Sequence, residues 1–294
     1  TSNGAGSTAS ISFVENNTSA VTTVTSSDLD PGDTATYSIS GTDVGDFSIN
    51  ASTGVLTFAS TPDYENPTDS NTDNTYIVIV TVTDSGSLTG TQTLTVTVTG
   101  VNEVPSITSN SAGSTASISF AENNTSAVTT VTSSDPDASD TKTYSKSGTD
   151  EDDLTINSSS GVLTFISTPN FEAPTDSDFD NVYIVIVTVT EDNTSLTDTQ
   201  TLTITVTDVN EAPIVTSDGG GNTASISYTE NSTSIVTTVT STDVDDGDTA
   251  TYSISGTDID DFTIDSSSGV LTFISTPNYE VPTDDDFDNV YIVI

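Results

Sequence analysis

Apolar and polar residues alternate strictly along several short stretches of this chain. In TQTLTVTVT, residues 91–99, the apolar residues Leu94, Val96 and Val98 alternate with threonines. A period of two places one set of side chains on a buried face of a β-strand and the other set in water. Turn residues separate such stretches, and no stretch shows the period of a helix. The pattern predicts an all-β protein.

The chain repeats one unit three times. The segment FVENNTSAVTTVTSSD, which contains Glu15, returns as FAENNTSAVTTVTSSD around Glu122 and as YTENSTSIVTTVTSTD around Glu230. A unit of about 100 residues with several short strands is typical of one β-sandwich domain. The predicted domains are 1–103, 104–211 and 212–294.

Seven strands are predicted in the first unit, at 9–13, 20–26, 35–40, 46–50, 54–59, 75–83 and 91–99. This number is expected of an immunoglobulin-like Greek-key sandwich. The third unit stops at NVYIVI, residues 289–294, which lies inside its sixth strand. A sandwich without its last strand exposes a sheet edge and half of its core. Two explanations stay open: the chain is a segment of a longer one, which we favour, or a neighbouring molecule donates the strand.

Composition narrows the possible partners and chemistry. The chain has 44 acidic and 2 basic residues and a formal net charge of −42. This charge excludes nucleic acids and anionic membrane surfaces as partners. No apolar run approaches the roughly 20 residues that span a bilayer. Because Cys, His and Met are absent from the sequence, a metal site would have only oxygen ligands.

An enzyme is disfavoured by the same composition. Paired carboxylates hydrolyse glycosides when they lie about 5–9.5 Å apart. However, the chain has no His or Cys, and its only basic residues are Lys142 and Lys146, both in the second unit. A catalytic centre would also not be triplicated so evenly. The sequence therefore favours a structural or binding protein.

Acidic residues recur in register at four loop positions of the unit. One follows the first strand, at Glu15. Another is a D-x-D pair such as Asp28 and Asp30, and a third is the PDYE loop, which holds Asp63 and Glu65. The fourth is the linker, TGVNEVP at 99–105 and TDVNEAP at 207–213.

Loop carboxylates at close spacing suit Ca²⁺, which takes six to eight oxygen ligands at about 2.3–2.6 Å. Without a cation, the repulsion between them would cost several kcal/mol at an intermediate dielectric. Solvated surface acids would explain a single D-x-D, but four positions in register favour Ca²⁺. A third aspartate follows each D-x-D pair, and the sequence leaves its role unassigned. These aspartates are Asp33, Asp140 and Asp248.

The motifs of each unit follow one order along the chain. They are E-N, D-x-D, F-S-I-N-x-x-T-G, x-D-x-E, Y-I-V-I-V-T-V-T-D and a linker similar to D-x-N-D-x-x-P. Over the whole chain this order resembles the cadherin-type repeat, in the form found in large bacterial surface proteins. The resemblance implies tandem Greek-key β-sandwiches in an end-to-end rod, an extracellular location, and Ca²⁺ bound at each junction between repeats.

The resemblance also implies which residues bind calcium. They come from the base of one repeat, the linker and the top of the next repeat. The apolar linker residues would bind through their backbone carbonyl oxygens. For the first junction they are Glu15, Asp63, Glu65, Val101, Asn102, Glu103, Val104, Asp135, Asp137 and Glu191. For the second they are Glu122, Glu172, Val209, Asn210, Glu211, Ala212, Asp243 and Asp245. Asp28, Asp30 and Asp84 would face a preceding repeat, and Glu230 and Glu280 a following one.

Two departures from the family pattern concern the charge at the junctions. Gly100 stands where the linker pattern has an aspartate, which Asp208 keeps. Asn170 replaces the carboxylate found at Asp63. Because fewer charges weaken a calcium site, the second junction is expected to hold fewer ions or to hold them less tightly.

The leading functional hypothesis is a stalk or spacer of a surface adhesin or extracellular filament, stiffened by Ca²⁺. Extracellular modules bind Ca²⁺ with dissociation constants of about 10⁻⁴–10⁻³ M, so such sites fill outside a cell. The alternative is a recognition module for a protein, a glycan or a second copy of the chain. It rests on TYIVIVTVT, where Tyr76 and Val78 would face the core while Ile77 and Ile79 face outward.

Overall fold

The chain is all-β, as predicted, in a computed structural model that describes residue 4 and residues 6–30, 32–138 and 140–294. These ranges contain 21 strands, numbered β1 to β21 in chain order, and five 3₁₀ helices. They contain no α-helix, and no helix in them is long and apolar enough to cross a membrane. The 3₁₀ helices are the one kind of element that the alternation pattern did not predict.

Repeat one has seven strands in two sheets, as the sequence predicts. The strands are β1 (Thr8–Val14), β2 (Thr22–Thr23), β3 (Thr36–Ser40), β4 (Phe47–Ile49), β5 (Val55–Phe58), β6 (Thr75–Thr83) and β7 (Thr89–Thr99). One sheet has the order β1-β7-β6-β3 and the other has the order β2-β5-β4. Strand β1 runs parallel to β7, and the remaining pairs are antiparallel. A 3₁₀ helix, Val44–Asp46, leads into β4.

The two sheets of repeat one enclose an apolar core. Tyr76 and Val78 on β6 are buried, whereas Ile77 between them is 39% exposed. The ring of Phe58 packs edge-on against that of Tyr76, with centroids 5.2 Å apart. The alternation in the sequence therefore marks buried and exposed faces, although Val82 near the end of β6 is only half-buried.

Repeat two is built in the same way and adds a short strand pair next to the linker. Its strands are β8 (Ser106–Ile107), β9 (Thr115–Ala121), β10 (Thr129–Thr130), β11 (Ser133–Ser134), β12 (Lys142–Ser147), β13 (Leu154–Ile156), β14 (Val162–Phe165), β15 (Val182–Glu191) and β16 (Thr197–Thr207). The sheets have the orders β12-β15-β16-β9 and β10-β14-β13. Strand β8 pairs with β11, which fastens the end of the linker to repeat two. The 3₁₀ helices are Asn110–Ala112 and Glu151–Asp153.

Repeat three keeps the smaller sheet. Its strands are β17 (Ile214–Val215), β18 (Thr237–Thr238), β19 (Ser241–Thr242), β20 (Phe262–Ile264) and β21 (Val270–Phe273), and its 3₁₀ helices are Ser217–Gly219 and Ile259–Asp261. Strands β18, β21 and β20 form a sheet, and β17 pairs with β19. Among the described residues of this repeat, the four-stranded sheet of the other repeats has no counterpart. Ile226, whose equivalent Ile118 packs against the core of repeat two, is therefore 45% exposed.

Candidate metal centres at the repeat junctions

Glu15 joins three segments of the chain at the base of repeat one. It follows β1 directly, and its side chain is only 2% exposed. Its Oε1 accepts the N–H of Val101 in the linker at 2.6 Å, and its Oε2 accepts the N–H of Tyr64 at 2.7 Å. One carboxylate oxygen from each of Glu15, Asp63 and Glu65 lies within 4.8 Å of the others. We call these three residues the outer group of the first junction.

A second set of carboxylates connects repeat one to repeat two. Oxygens of Glu65, Glu103 and Asp137 also lie within 4.8 Å of one another, and we call these residues the bridging group. The N–H of Glu103 donates to Asp137 Oδ2 at 2.7 Å, and Asn16 Nδ2 donates to Glu103 Oε1 at 2.7 Å. The linker is therefore held by both repeats, and Glu65 belongs to both groups.

The far side of the first junction is formed by repeat two. Asn102 Nδ2 donates to Glu191 Oε1 at 2.7 Å, and Glu191 is buried at the end of β15. The N–H of Asp137 donates to Asp135 Oδ1 at 3.2 Å within the D-x-D loop, and Asp137 Oδ2 accepts the linker N–H of Glu103. Asp140 accepts a hydrogen bond from Asn193 Nδ2, and partial desolvation, followed by a hydrogen bond with Glu191, raises its pKa. The sequence had left Asp140 unassigned.

The second junction repeats this arrangement. Glu122 Oε1 accepts the N–H of Val209 and Oε2 accepts the N–H of Phe171, both at 2.8 Å. The N–H of Glu211 donates to Asp245 Oδ2 at 2.7 Å. The outer group here consists of Glu122, Glu172 and Asp208, and the bridging group of Glu172, Glu211 and Asp245.

Of these residues, Asp208 is the one that the sequence analysis did not include among the ligands. In the sequence, Asp208 is distinguished only by matching the aspartate of the family's linker pattern. Its membership of the outer group also bears on the expected weakness of the second junction, because it supplies the carboxylate that Asn170 lacks.

At the two ends of the described chain, the predicted ligands form partial sites. Asp28, Asp30 and Asp33 bring their oxygens within 4.8 Å of one another, so Asp33 belongs to this cluster. Asp84 Oδ1 accepts the N–H of Leu88 at 2.7 Å within its own turn. In repeat three, Glu230 Oε2 accepts the N–H of Tyr279 at 2.9 Å, which is the bond that Glu15 makes with Tyr64.

Several junction oxygens are buried and accept no hydrogen bond from the described residues. At the first junction they are Glu103 Oε2, Asp135 Oδ2 and Glu191 Oε2. At the second they are Glu211 Oε2 and Asp245 Oδ1. A buried polar group without a partner costs about 1–3 kcal/mol, and more when it is charged. Because these atoms are all carboxylate oxygens beside other carboxylates, the residues fit a hard cation such as Ca²⁺.

The electrostatics of the ion-free junctions agree with this chemistry. Partial desolvation, followed by the charge of Glu15, raises the pKa of Glu65 from 4.5 to about 7. Desolvation and then neighbouring carboxylates also raise the pKa values of Glu172, Asp208 and Glu211. Each of these acids therefore loses part of its preference for the charged form, which a bound cation would restore.

Comparison with known proteins places this geometry in a family. The sequence profile of the cadherin domain matches residues 9–99. Repeat one is a cadherin domain. The other two repeats carry the same motifs in the same order. The family that repeat one matches is a family of adhesion modules and not of enzymes.

Solved structures agree on the fold. Human CDH23 EC21-23 matches with a TM-score of 0.59 and 20% identity, over 94% of this chain and 90% of that chain. Mouse Cadherin-23 EC22-24 matches with a TM-score of 0.51 and 22% identity, over 94% and 88%. The Protocadherin GammaB4 extracellular domain matches with a TM-score of 0.53 and 22% identity, over 94% of this chain and 44% of the longer one. A search of curated protein sequences gave no match.

Proposed function

We propose that this chain is a calcium-stiffened spacer in the stalk of a large bacterial surface adhesin or extracellular filament. Its repeats would comprise residues 1–103, 104–211 and 212–294, joined to neighbouring repeats of the same longer chain. Ca²⁺ would bind at the junctions, outside the cell, and the rod would hold another part of the protein away from the cell surface.

One observation carries this proposal. In each bridging group the three carboxylates come from three segments: a repeat, the linker and the next repeat. At the first junction these are Glu65, Glu103 and Asp137. A cation bound by all three would fix the position of one repeat relative to the next. Without the cation, three like charges on separate segments repel one another, which favours arrangements that separate the repeats.

The surrounding residues prepare the linker for this role. Glu15 and Glu122 each hold a linker N–H and a loop N–H with their two oxygens. Asn16 and Asn123 donate to the linker glutamates Glu103 and Glu211. These bonds orient the linker carboxylates without neutralising them, so the chain supplies positioned negative charge and the ion supplies the positive charge.

The test is small-angle X-ray scattering of the whole chain in millimolar Ca²⁺ and then in excess chelator, with circular dichroism on the same samples. We expect the maximum dimension to become smaller and the ensemble broader without Ca²⁺, while the β-sheet spectrum is kept. The double variant Glu103→Gln, Glu211→Gln should scatter like the chelated chain even in Ca²⁺. Identical scattering curves with and without Ca²⁺ for the unaltered chain would contradict the proposal.

A recognition or lateral-contact function is the second candidate, because one observation favours it. Ile77 on β6 is 39% exposed, and its equivalent Ile184 on β15 is 41% exposed. Both point away from the core at the same position of consecutive repeats. If sedimentation shows Ca²⁺-independent association of the chain while scattering shows no stiffening, this second function replaces the first.

A further inference from the structure

At each junction the outer and bridging groups together contain five carboxylates, but one of the five lies on a different segment at the two junctions. The first junction has Glu15, Asp63, Glu65, Glu103 and Asp137, and the second has Glu122, Glu172, Asp208, Glu211 and Asp245. Four of the five occupy equivalent positions in the repeat. The fifth is Asp63 in a loop of repeat one at the first junction, and Asp208 in the linker at the second.

The loop residue is charged in repeat one and neutral in repeat two, but the loop has the same hydrogen bond in both. Asp63 Oδ1 accepts the N–H of Asn66 at 2.9 Å, and Asn170 Oδ1 accepts the N–H of Ala173 at 2.9 Å. The loop therefore closes with the same bond in both repeats. Asn170 therefore keeps the turn but supplies no negative charge to the outer group.

The linker position changes in the opposite direction, from Gly100 at the first junction to Asp208 at the second. The ring of Tyr64 lies against Gly100, so that a Cβ at Gly100 would be 3.1 Å from Tyr64 Cδ1 and 3.4 Å from Cγ. An aspartate at position 100 would have to displace this ring. At the second junction, Asp208 at the equivalent position reaches Glu122 and Glu172 instead.

We infer that the outer calcium site is self-contained in repeat one at the first junction but depends on the linker at the second. This inference rests on the proposed binding of Ca²⁺ at the junctions. Every carboxylate of the first outer group belongs to repeat one, so the group exists whatever the linker does. The second outer group is complete only when the linker brings Asp208 to Glu122 and Glu172.

Because only the second outer site depends on the linker, the two outer sites should bind Ca²⁺ with different apparent affinities. When a site exists only in a fraction of the conformations, its apparent dissociation constant is the intrinsic one divided by that fraction. A linker that holds Asp208 in place one tenth of the time would therefore weaken the second outer site about tenfold. As Ca²⁺ falls, the second junction would loosen before the first one does.

The experiment is a Ca²⁺ titration of the whole chain followed by amide NMR. The amides of Tyr64 and Phe171 report on the loops, and those of Val101 and Val209 report on the linkers, because all four bond to Glu15 or Glu122. We expect the Tyr64 signal to shift at lower Ca²⁺ than the Val101 signal. The Phe171 and Val209 signals should shift together, at about tenfold higher Ca²⁺ than Tyr64.

Two variants transfer the carboxylate from one segment to the other. Asp208→Gly should raise the Ca²⁺ concentration needed at Phe171 by a further factor of about ten, because a charged ligand is lost. Adding Asn170→Asp to that variant should restore the Phe171 response and separate it from that of Val209, as at the first junction. Asp260→Asn, which removes one exposed charge in repeat three, is the matched control and should change neither response.

The outcomes are distinct. If the double variant Asn170→Asp, Asp208→Gly responds no better than Asp208→Gly alone, the carboxylate is not exchangeable between the segments and the inference is wrong. If all four amides of the unaltered chain shift together, the inference is also wrong while the proposed function stands. If none of the four amides shifts in millimolar Ca²⁺, both the inference and the proposed function fail.

Discussion

The core of repeat two and the first junction both contain buried side chains, but the two regions differ in how those side chains are satisfied. In the core, Leu202 and Ile204 on β16 are fully buried among apolar side chains. At the junction, Glu103 and Glu191 bury oxygens that accept no hydrogen bond from the described residues. The core is satisfied by the chain itself, whereas under the proposed function the junction is completed by Ca²⁺. Under the proposed function, the stability of the domains therefore comes from the chain itself and that of the joints from Ca²⁺.

The largest expected effect tests the core side of this comparison. Leu202→Ala removes a buried side chain between the two sheets and should destabilise repeat two by about 2–5 kcal/mol. The loss should be the same with Ca²⁺ as with chelator, since no junction residue is changed. Thermal unfolding followed by circular dichroism in both conditions measures it. A loss that appears only in chelator would show that core and junction are not separate.

A smaller effect distinguishes two kinds of buried acid. Asp150 is buried like the junction glutamates, but its oxygens accept the N–H groups of Ser177 at 2.8 Å and Ile184 at 2.7 Å. Asp150→Asn turns an amide donor toward one of these N–H groups, which should cost about 1–3 kcal/mol.

Asp150 therefore acts as a structural acid, and its replacement should leave Ca²⁺ binding unchanged. Calorimetric titration with Ca²⁺ checks this second half of the prediction. Asp43 is the matched position in repeat one, because it accepts the N–H groups of Ser70 and Ile77 in the same way. If Asp150→Asn or Asp43→Asn reduced the number of bound ions, these acids would belong to the metal sites.

The smallest expected effect is a dependence of the joint on pH. The folded, ion-free chain raises the pKa of Glu65 from 4.5 to about 7. A raised pKa means that the folded state binds this proton more tightly than the unfolded state does. The corresponding stability is fully present below about pH 4.5 and is lost as pH rises through about 7.

If Ca²⁺ binds at Glu65 as proposed, protons compete with it there. Near pH 6, where this carboxyl is mostly protonated, Ca²⁺ binding at the first junction should be about tenfold weaker than near pH 8. Titrations at the two pH values measure the ratio, and Glu65→Gln should remove the dependence at this junction. Equal affinities at both pH values would mean that the ion-free geometry does not govern Glu65.

Most of the fold was readable from local pattern. The alternation in TQTLTVTVT specified the buried face of β7, and the same pattern gave β6 with Tyr76 and Val78 inward. Of the strand predicted at 20–26, only Thr22–Thr23 pairs with β5, and the N–H groups of Val21 and Val24 on either side donate to the carbonyls of Leu56 and Gly54. The 3₁₀ helix Val44–Asp46 has no periodic signal, since three residues cannot show a period.

The junctions were less predictable from the sequence than the strands were. The sequence by itself determined which residue types recur at which loop positions, because register along the chain is a local property. It therefore supplied Glu15, Glu65, Glu103 and Asp137 as candidate ligands. Whether they meet depends on contacts across about 90 residues, such as the bond from the Val101 N–H to Glu15.

Only the tertiary structure decided which carboxylates share a group and which oxygens are buried without a partner. It placed Asp208 beside Glu122 and Glu172, and it packed Tyr64 against the position where Gly100 has no side chain. Burial, desolvation and mutual repulsion depend on distances between segments that the linear pattern does not contain. The sequence therefore determines where the acidic residues lie along the chain. Their interaction energies depend on the distances between them, which are set only when the repeats and linkers pack together.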